Sequence, residues 1–387
     1  MKLLSVITSL NPACGGPVEC AVQLQRNLTK LGHVFDIVTL DPPDATWIHN
    51  CVPRPICLGK KNHRSRNIEP ALIDFLHSCQ REYDGSVFHG IWTFPNVAIR
   101  ACWNKRHRYV VFPHGMLDPY FIKYFPFKHI KKSLYYRLIA APVLERAHAV
   151  LFTCDEERRL ASASYRPIAG KRIVVRYGIN PPSFSKKPRE NPFEWIKSQT
   201  DCDQLVLFIG RIHPKKGCDL LIEALARITP AFPSVRVAFA GPDEREWVPV
   251  LQKLAQVRGV ADRIIWLGPV YGNDKWFLYN VADVSILPSH MENFGMTVAE
   301  SLSQGLPVLL SDRVNIFPSI VRAGAGFAAP DTIDGTTSLL RSWLNTSQQQ
   351  RSLMRVNCLR LFQDEFQAIH TAEDVVRVFQ QDLVTGN

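Results

Sequence analysis

The feature that most constrains the fold is an alternation, held almost end to end, of short apolar runs with stretches of helical periodicity. Runs at residues 3–8, 35–40, 87–88, 109–112, 149–152 and 173–176 read as strands. Helical patterns lie between them, the first over residues 17–31. Such alternation predicts parallel sheet with helices on both faces. Pro17 and Pro95 suit first helical positions, where a missing N–H is no loss, and Gly32 suits a helix C-terminal cap. The rhythm breaks over residues 178–204, which are polar and rich in turn formers such as Gly178, Asn180, Pro181 and Pro182. It resumes with apolar runs at residues 205–209, 235–240, 264–267, 284–287 and 307–310.

Two α/β series in tandem predict two doubly wound Rossmann-like domains facing each other across a cleft. The expected boundaries are residues 1–183, a linker at 184–204, a second domain at 205–365, and a C-terminal helix at 366–387 that packs back on the first domain. Ligands of such sheets bind at the C-terminal ends of the strands. The length agrees, since 387 residues are too many for one ordinary core. No apolar run reaches the roughly 18 residues of a membrane span. The apolar stretch after Met1-Lys2 ends at Asn11-Pro12 before any small-residue cleavage site, so it reads as a buried first strand and not a signal peptide. The 10 cysteines form no C-x-x-C pair, and scattered single thiols point to the reducing cytoplasm.

Charge is uneven. Residues 1–190 hold 28 Lys+Arg against 14 Asp+Glu, whereas the rest, with 18 against 21, is slightly acidic. The first half therefore meets something anionic. A nucleic acid would satisfy that, but no recognition motif accompanies the charge, so no nucleic-acid partner is expected.

Four loops carry chemistry. The segment Glu292-Asn293-Phe294-Gly295-Met296-Thr297-Val298-Ala299-Glu300 follows the run at 284–287 directly. A helix starting near Phe294 would aim its free N–H groups at an anion such as a diphosphate. Taken alone, the two glutamates could equally be unrelated surface residues. In Gly210-Arg211-Ile212-His213-Pro214-Lys215-Lys216-Gly217, two cations stand five residues apart after a strand. Arg211 offers a bidentate fork and Lys216 a point charge to a pyrophosphate. Otherwise both are solvated charges. Gly15-Gly16, in the loop after the first strand, either admits a ligand close to the backbone or makes a tight turn. It is neither the G-x-G-x-x-G fingerprint nor a P-loop. His114, in Pro113-His114-Gly115-Met116-Leu117-Asp118, could bond a sugar hydroxyl or be structural, and His89-Gly90 occupies the same kind of position.

Together, in this order and context, the four loops resemble the family-four retaining glycosyltransferases of the GT-B fold, over nearly the whole chain. The resemblance implies a retaining hexosyltransferase that needs no metal and no cofactor. Its co-substrate would be a UDP- or GDP-sugar and its acceptor a glycan or a lipid-linked sugar, in polysaccharide or lipopolysaccharide assembly. It assigns catalytic roles to His114, Arg211, Lys216 and Glu292. Arg211 and Lys216 would hold the donor diphosphate, and Glu292 the sugar hydroxyls. Glu300 would take the ribose, and Val270 would lie near the base. Gly16, Gly210, Asn293, Phe294, Gly295, Met296 and Thr297 would complete the donor site. Gly15, His89 and Asp118 would lie on the acceptor side, in an acceptor-binding first domain. The family usually has Gly where this chain has Asn293, which puts the contacts to the sugar in doubt.

Asp201-Cys202-Asp203 mimics a metal-binding D-x-D pair, but it precedes a strand where such pairs follow one, so it reads as a turn. A sugar-nucleotide-binding module without catalysis, a GT-B epimerase and a glycosyl phosphorylase are the competing readings. Finally, residues 123–137 carry Lys123, Lys128, Lys131, Lys132 and Arg137 among aromatics with no acid. This predicts peripheral docking on the anionic inner face of a membrane, helped by a basic loop at residues 58–67. The competing reading is a solvated helix with Leu134, Tyr135 and Ile139 in the core.

Overall fold

The fold was read from a computed structural model, which describes residues 1–49, 51–60, 68–102, 107–120, 126–164, 170–181, 193–199 and 202–381, without the side chains of 126–130, 198 and 199. The chain forms two compact units, one of residues 1–180 with 367–387 and the other of residues 181–366. Most of the linker region, the basic loop at 61–67 and Lys123 lie outside the described residues, as does the side chain of Lys128.

The first unit is a seven-stranded sheet in the order β3-β2-β1-β4-β5-β6-β7. Its strands are β1 (Lys2–Ile7), β2 (Val34–Thr39), β3 (Ile56–Cys57), β4 (Gly85–His89), β5 (Tyr109–Phe112), β6 (Ala149–Phe152) and β7 (Arg172–Val174). Every pairing is parallel. Strands β4, β5 and β6 are buried along their whole length, so they need helices on both faces and read as unbroken apolar runs. The strand order reverses between β1 and β4, which places the loops after those strands at a topological switch point.

The helix Ala368–Gln380 completes this unit. Phe379 is fully buried, and a Cβ on Gly85 would lie 2.3 Å from its ring, so the glycine makes room for the phenylalanine. Burial of such a side chain contributes roughly 1.5–3 kcal/mol. Arg176 clamps the helix through Asp374, with Nη2 2.8 Å from Oδ1.

The second unit repeats the design with six parallel strands in the order β10-β9-β8-β11-β12-β13. They are β8 (Gln204–Ile209), β9 (Val235–Ala240), β10 (Ile264–Gly268), β11 (Val284–Leu287), β12 (Val308–Ser311) and β13 (Gly326–Ala329). Here the switch point falls between β8 and β11.

Candidate active site

In the second unit the two loops at the switch point carry Arg211, Lys216 and Glu292, and the helix after the second loop carries Glu300. After β8 the chain turns at Gly210, passes Arg211, and makes a short 3-10 turn over Pro214–Lys216. His213 caps that turn, its Nδ1 accepting from the Lys215 N–H at 3.0 Å. Gly217 closes it in the left-handed region, at φ 67°, and a Cβ there would stand 2.1 Å from the Pro288 carbonyl oxygen. Only glycine therefore lets the β8 loop lie against the β11 loop.

That contact brings Lys216 Nζ onto Glu292 Oε2, with both side chains largely buried. Glu292 is further tied by its backbone, its N–H donating to Arg313 O at 2.9 Å while its own carbonyl accepts from Asn315 N–H at 3.0 Å. Burial pushes the Glu292 carboxyl up, but the Lys216 ammonium, with smaller help from Lys215 and Arg211, outweighs it and holds it below its ordinary value. Glu292 is therefore an ionised acceptor for hydroxyl groups and not a proton donor. Arg211, more than half exposed, bonds Glu244 through Nη1 alone, at 2.8 and 3.1 Å.

The helix after the first glutamate begins at Met296 and not at Phe294. Phe294 is instead buried, edge-on to Phe366 at 5.6 Å, which pins the loop before the helix. Gly295 caps that helix in the left-handed region, and Met296 and Thr297 supply its first partly exposed turn. Asn293 Oδ1 is 3.4 Å from Asn315 Nδ2. Glu300, only 8% exposed, lies within the helix. Its two oxygens accept from Lys275 Nζ at 2.6 Å and from the Tyr279 hydroxyl at 2.7 Å. Each carboxylate oxygen retains a lone pair. Val270 is half-buried just past β10. Lys275, Tyr279 and Glu244 were not singled out from sequence.

In the first unit the switch point brings the Gly15-Gly16 loop and His89 together. A Cβ on either glycine would meet nothing within 4 Å, so the loop is open and not packed. Its position is fixed by the Tyr177 hydroxyl, which donates to Gly16 O at 3.1 Å. His114, after β5, adopts φ 51°, a conformation uncommon outside glycine. Glu157 stabilises the loop beside it: its carboxylate accepts from Gly115 N–H at 2.6 Å, Thr153 N–H at 2.7 Å and the Thr153 hydroxyl at 2.7 Å.

His89, expected on the acceptor side, lies behind His114. Only 2% exposed, it stacks against Phe112 and bonds His114, Nδ1 to Nε2 at 3.0 Å. It backs His114. Burial holds its imidazole neutral, with the pKa lowered to about 3. Asp118 serves its own turn, its Oδ1 accepting from Tyr120 N–H at 2.8 Å. Among the described residues Cys20, His89 and His114 bring one donor atom each within 4.8 Å of one another. Burial keeps Cys20 a thiol, pushed up to about 12, and the two imidazoles share a hydrogen bond. Of the D-x-D triplet, Asp201 lies outside the described residues and Asp203 N–H bonds Ser234 O at 3.2 Å.

Comparison with known families decides what this pair of sheets belongs to. Residues 193–356 match the model for glycosyl transferases group 1, and residues 15–178 match that of the glycosyl transferase 4-like domain. The chain belongs to the group 1 glycosyltransferases. This group 1 chain is 32% identical over 174 residues to the D-inositol 3-phosphate glycosyltransferase of Geodermatophilus obscurus, a match covering 43% of the chain and 38% of that relative. The alignment thus spans about two fifths of the relative's length. Among solved structures, sucrose-phosphate synthase from Thermosynechococcus elongatus superposes with a TM-score of 0.76 over 100% of both chains at 18% identity. Anabaena HepE in complex with UDP and glucose gives 0.75, over 98% of this chain and 100% of HepE, at 17% identity. These likenesses establish the GT-B fold.

Proposed function

We propose that the chain transfers a sugar from a nucleotide-sugar donor, bound by the second unit, to a glycan or lipid-linked acceptor bound by the first. The observation that carries this is the Lys216–Glu292 pair at the switch point, with Arg211 on the same loop. Breaking a glycosyl–phosphate bond puts charge on the leaving diphosphate, and preorganised cations stabilise that charge where it develops. Arg211 and Lys216 supply them, and the N-terminus of the helix Met296–Ser303 adds its own partial positive charge. Glu292, kept ionised, accepts hydroxyls of the donor sugar, and Glu300 those of the ribose. The UDP complex of HepE supports a uridine donor, with GDP as the alternative.

Transfer is proposed to retain the anomeric configuration and to need no metal ion. A thermal-shift panel of UDP, GDP, ADP and their sugars tests the donor class. A ligand at 100 times its dissociation constant adds about 2.7 kcal/mol of stability. A panel in which no nucleotide shifts the melting point would overturn the reading. Chelation by EDTA should leave most turnover intact, and NMR of the product linkage should show retention. Complete loss of activity restored by Mn²⁺, or inversion, would contradict these two points.

We also propose that the first unit docks on an anionic membrane. No helix among the described residues is long and apolar enough to cross one. Support comes from residues 131–138, where Leu134 is 61% exposed and Leu138 58%, beside the exposed cations Lys131 and Arg137. The tyrosines there pack inward, the Tyr135 hydroxyl donating to Thr93 O at 3.0 Å. Lys132 rides over the Trp92 ring at 5.1 Å. Exposed leucine beside cations suits a lipid headgroup layer better than water. Co-sedimentation should need anionic liposomes and weaken with salt. Equal recovery in the supernatant with and without such liposomes at low salt would refute docking.

A further inference from the structure

The contact between His89 Nδ1 and His114 Nε2, at 3.0 Å, holds one proton, and two arrangements satisfy it. Either His89 donates from Nδ1, or His114 donates from Nε2. They differ in what is left on the outer nitrogens, because each neutral imidazole carries a single N–H. In the second arrangement the proton of His89 sits on Nε2. That atom is buried with no hydrogen-bond partner, so an N–H there would be an orphaned buried donor. In the first arrangement Nε2 is a bare lone pair. The Cys20 thiol lies within 4.8 Å of one nitrogen of each ring but makes no hydrogen bond to that Nε2, and a buried lone pair is left unmet more readily than a buried N–H. The same choice puts the proton of His114 on its Nδ1, which is not among the buried unpartnered atoms and is open to a ligand. The rings are held for this exchange, nearly parallel at 5.3 Å, with His114 in its left-handed backbone conformation.

We propose that His89 is a positioning residue that fixes His114 as the Nδ1–H tautomer, so that His114 presents a hydrogen-bond donor, and not a base, to a sugar oxygen. The sugar in that statement rests on the function proposed above; the tautomer does not. His114 then orients a hydroxyl or stabilises growing negative charge on an oxygen, and takes no proton from the acceptor. The arrangement also assigns Tyr177 a part. Its hydroxyl holds the Gly16 carbonyl, and its ring meets that of His114 edge-on at 6.3 Å, so glycine loop and imidazole move as one body.

Long-range ¹H–¹⁵N NMR of the full chain with labelled histidine tests this without any substrate. His89 and His114 should both show a protonated δ1 nitrogen and a bare ε2 nitrogen, unchanged from pH 8 to pH 6. The variant His89→Asn, whose amide nitrogen can stand where Nδ1 stood, should leave the His114 signals in place. His89→Leu should shift them to the tautomer mixture of a free imidazole. An Nε2–H on His89, or His114 signals indifferent to His89→Leu in a folded chain, would overturn the proposal. So would ε2 and δ1 shifts of both rings on adding Zn²⁺, which would make the trio a metal site. The expected tautomers without any nucleotide-sugar binding would leave this assignment standing and remove only the functional reading.

Discussion

Lys216 and Glu292 stabilise each other, and in the proposed donor site they divide the work. Removing the ammonium by Lys216→Ala should cost roughly 3 kcal/mol of transition-state stabilisation, about a hundredfold in kcat, because a preorganised charge at the leaving group is lost. Steady-state kinetics with the donor found by thermal shift measures it, and a loss under twofold would remove Lys216 from the site. Arg211 faces Glu244 across an exposed pair, a geometry worth at most about 1 kcal/mol to folding. Arg211→Ala should therefore lower turnover with little change in melting temperature. His89 makes a pH statement of the opposite kind. Its folded pKa, about 3, lies below the unfolded value near 6.5, so the unfolded chain binds the proton first as pH falls. The stabilisation is full above that unfolded value and is lost on acidification, by about 2 kcal/mol between pH 7 and pH 5. Urea unfolding at the two pH values should show a loss that is smaller in His89→Asn than in wild type by about this amount, the remainder including His114, whose imidazole burial also holds well below its ordinary value.

At the scale of elements, the loops depend on a few fixed anchors. A Cβ at Gly217 would collide with the Pro288 carbonyl and demand a left-handed backbone, so Gly217→Ala should destabilise the second unit by about 2 kcal/mol or more and part Lys216 from Glu292. Denaturant midpoints check the first effect and nucleotide binding the second. Much of this level was legible in the sequence. Strands β5, β6, β9 and β11 lie where their apolar runs place them, since fully buried parallel strands are the plainest of signals. Strand β3 has two residues, and β13 is Gly-Phe-Ala-Ala with little β-branched character, so neither announces itself. The helix at Met296 starts later than its pattern suggests because Phe294 packs on Phe366, a contact local sequence cannot show. For the same reason the sequence exposes Glu300 and Arg211 but not the Lys275, Tyr279 and Glu244 side chains that hold them. His89 was visible as a residue after a strand, but its burial behind His114 depends on three strands meeting.

Over the whole molecule, each unit is its own parallel sheet, and the chain returns to the first one for its last helix. Ala368 N–H donates to Ile179 O at 3.1 Å, and Arg176 fastens Asp374. Burial pushes the Asp374 carboxyl up, and hydrogen bonds from Arg176 overturn that and hold it below its ordinary value. With the folded pKa the lower one, this clamp is at full strength above about pH 4 and is lost as pH falls through the folded value. Deleting residues 367–387 should lower the melting temperature of the first unit sharply and leave that of residues 181–366 nearly unchanged. Calorimetry of the full and shortened chains resolves the two.

The central claim is that the switch-point loops of the second unit grip a nucleoside diphosphate by its charge. Isothermal titration of UDP, GDP and the matching nucleosides into wild type and Lys216→Ala tests it directly. One diphosphate should bind wild type saturably, its nucleoside far more weakly, and Lys216→Ala should weaken the diphosphate roughly thirtyfold, about 2 kcal/mol for a lost charged contact. Equal affinity of the diphosphate for both chains, or binding of the nucleoside as tight as its diphosphate, would contradict the account.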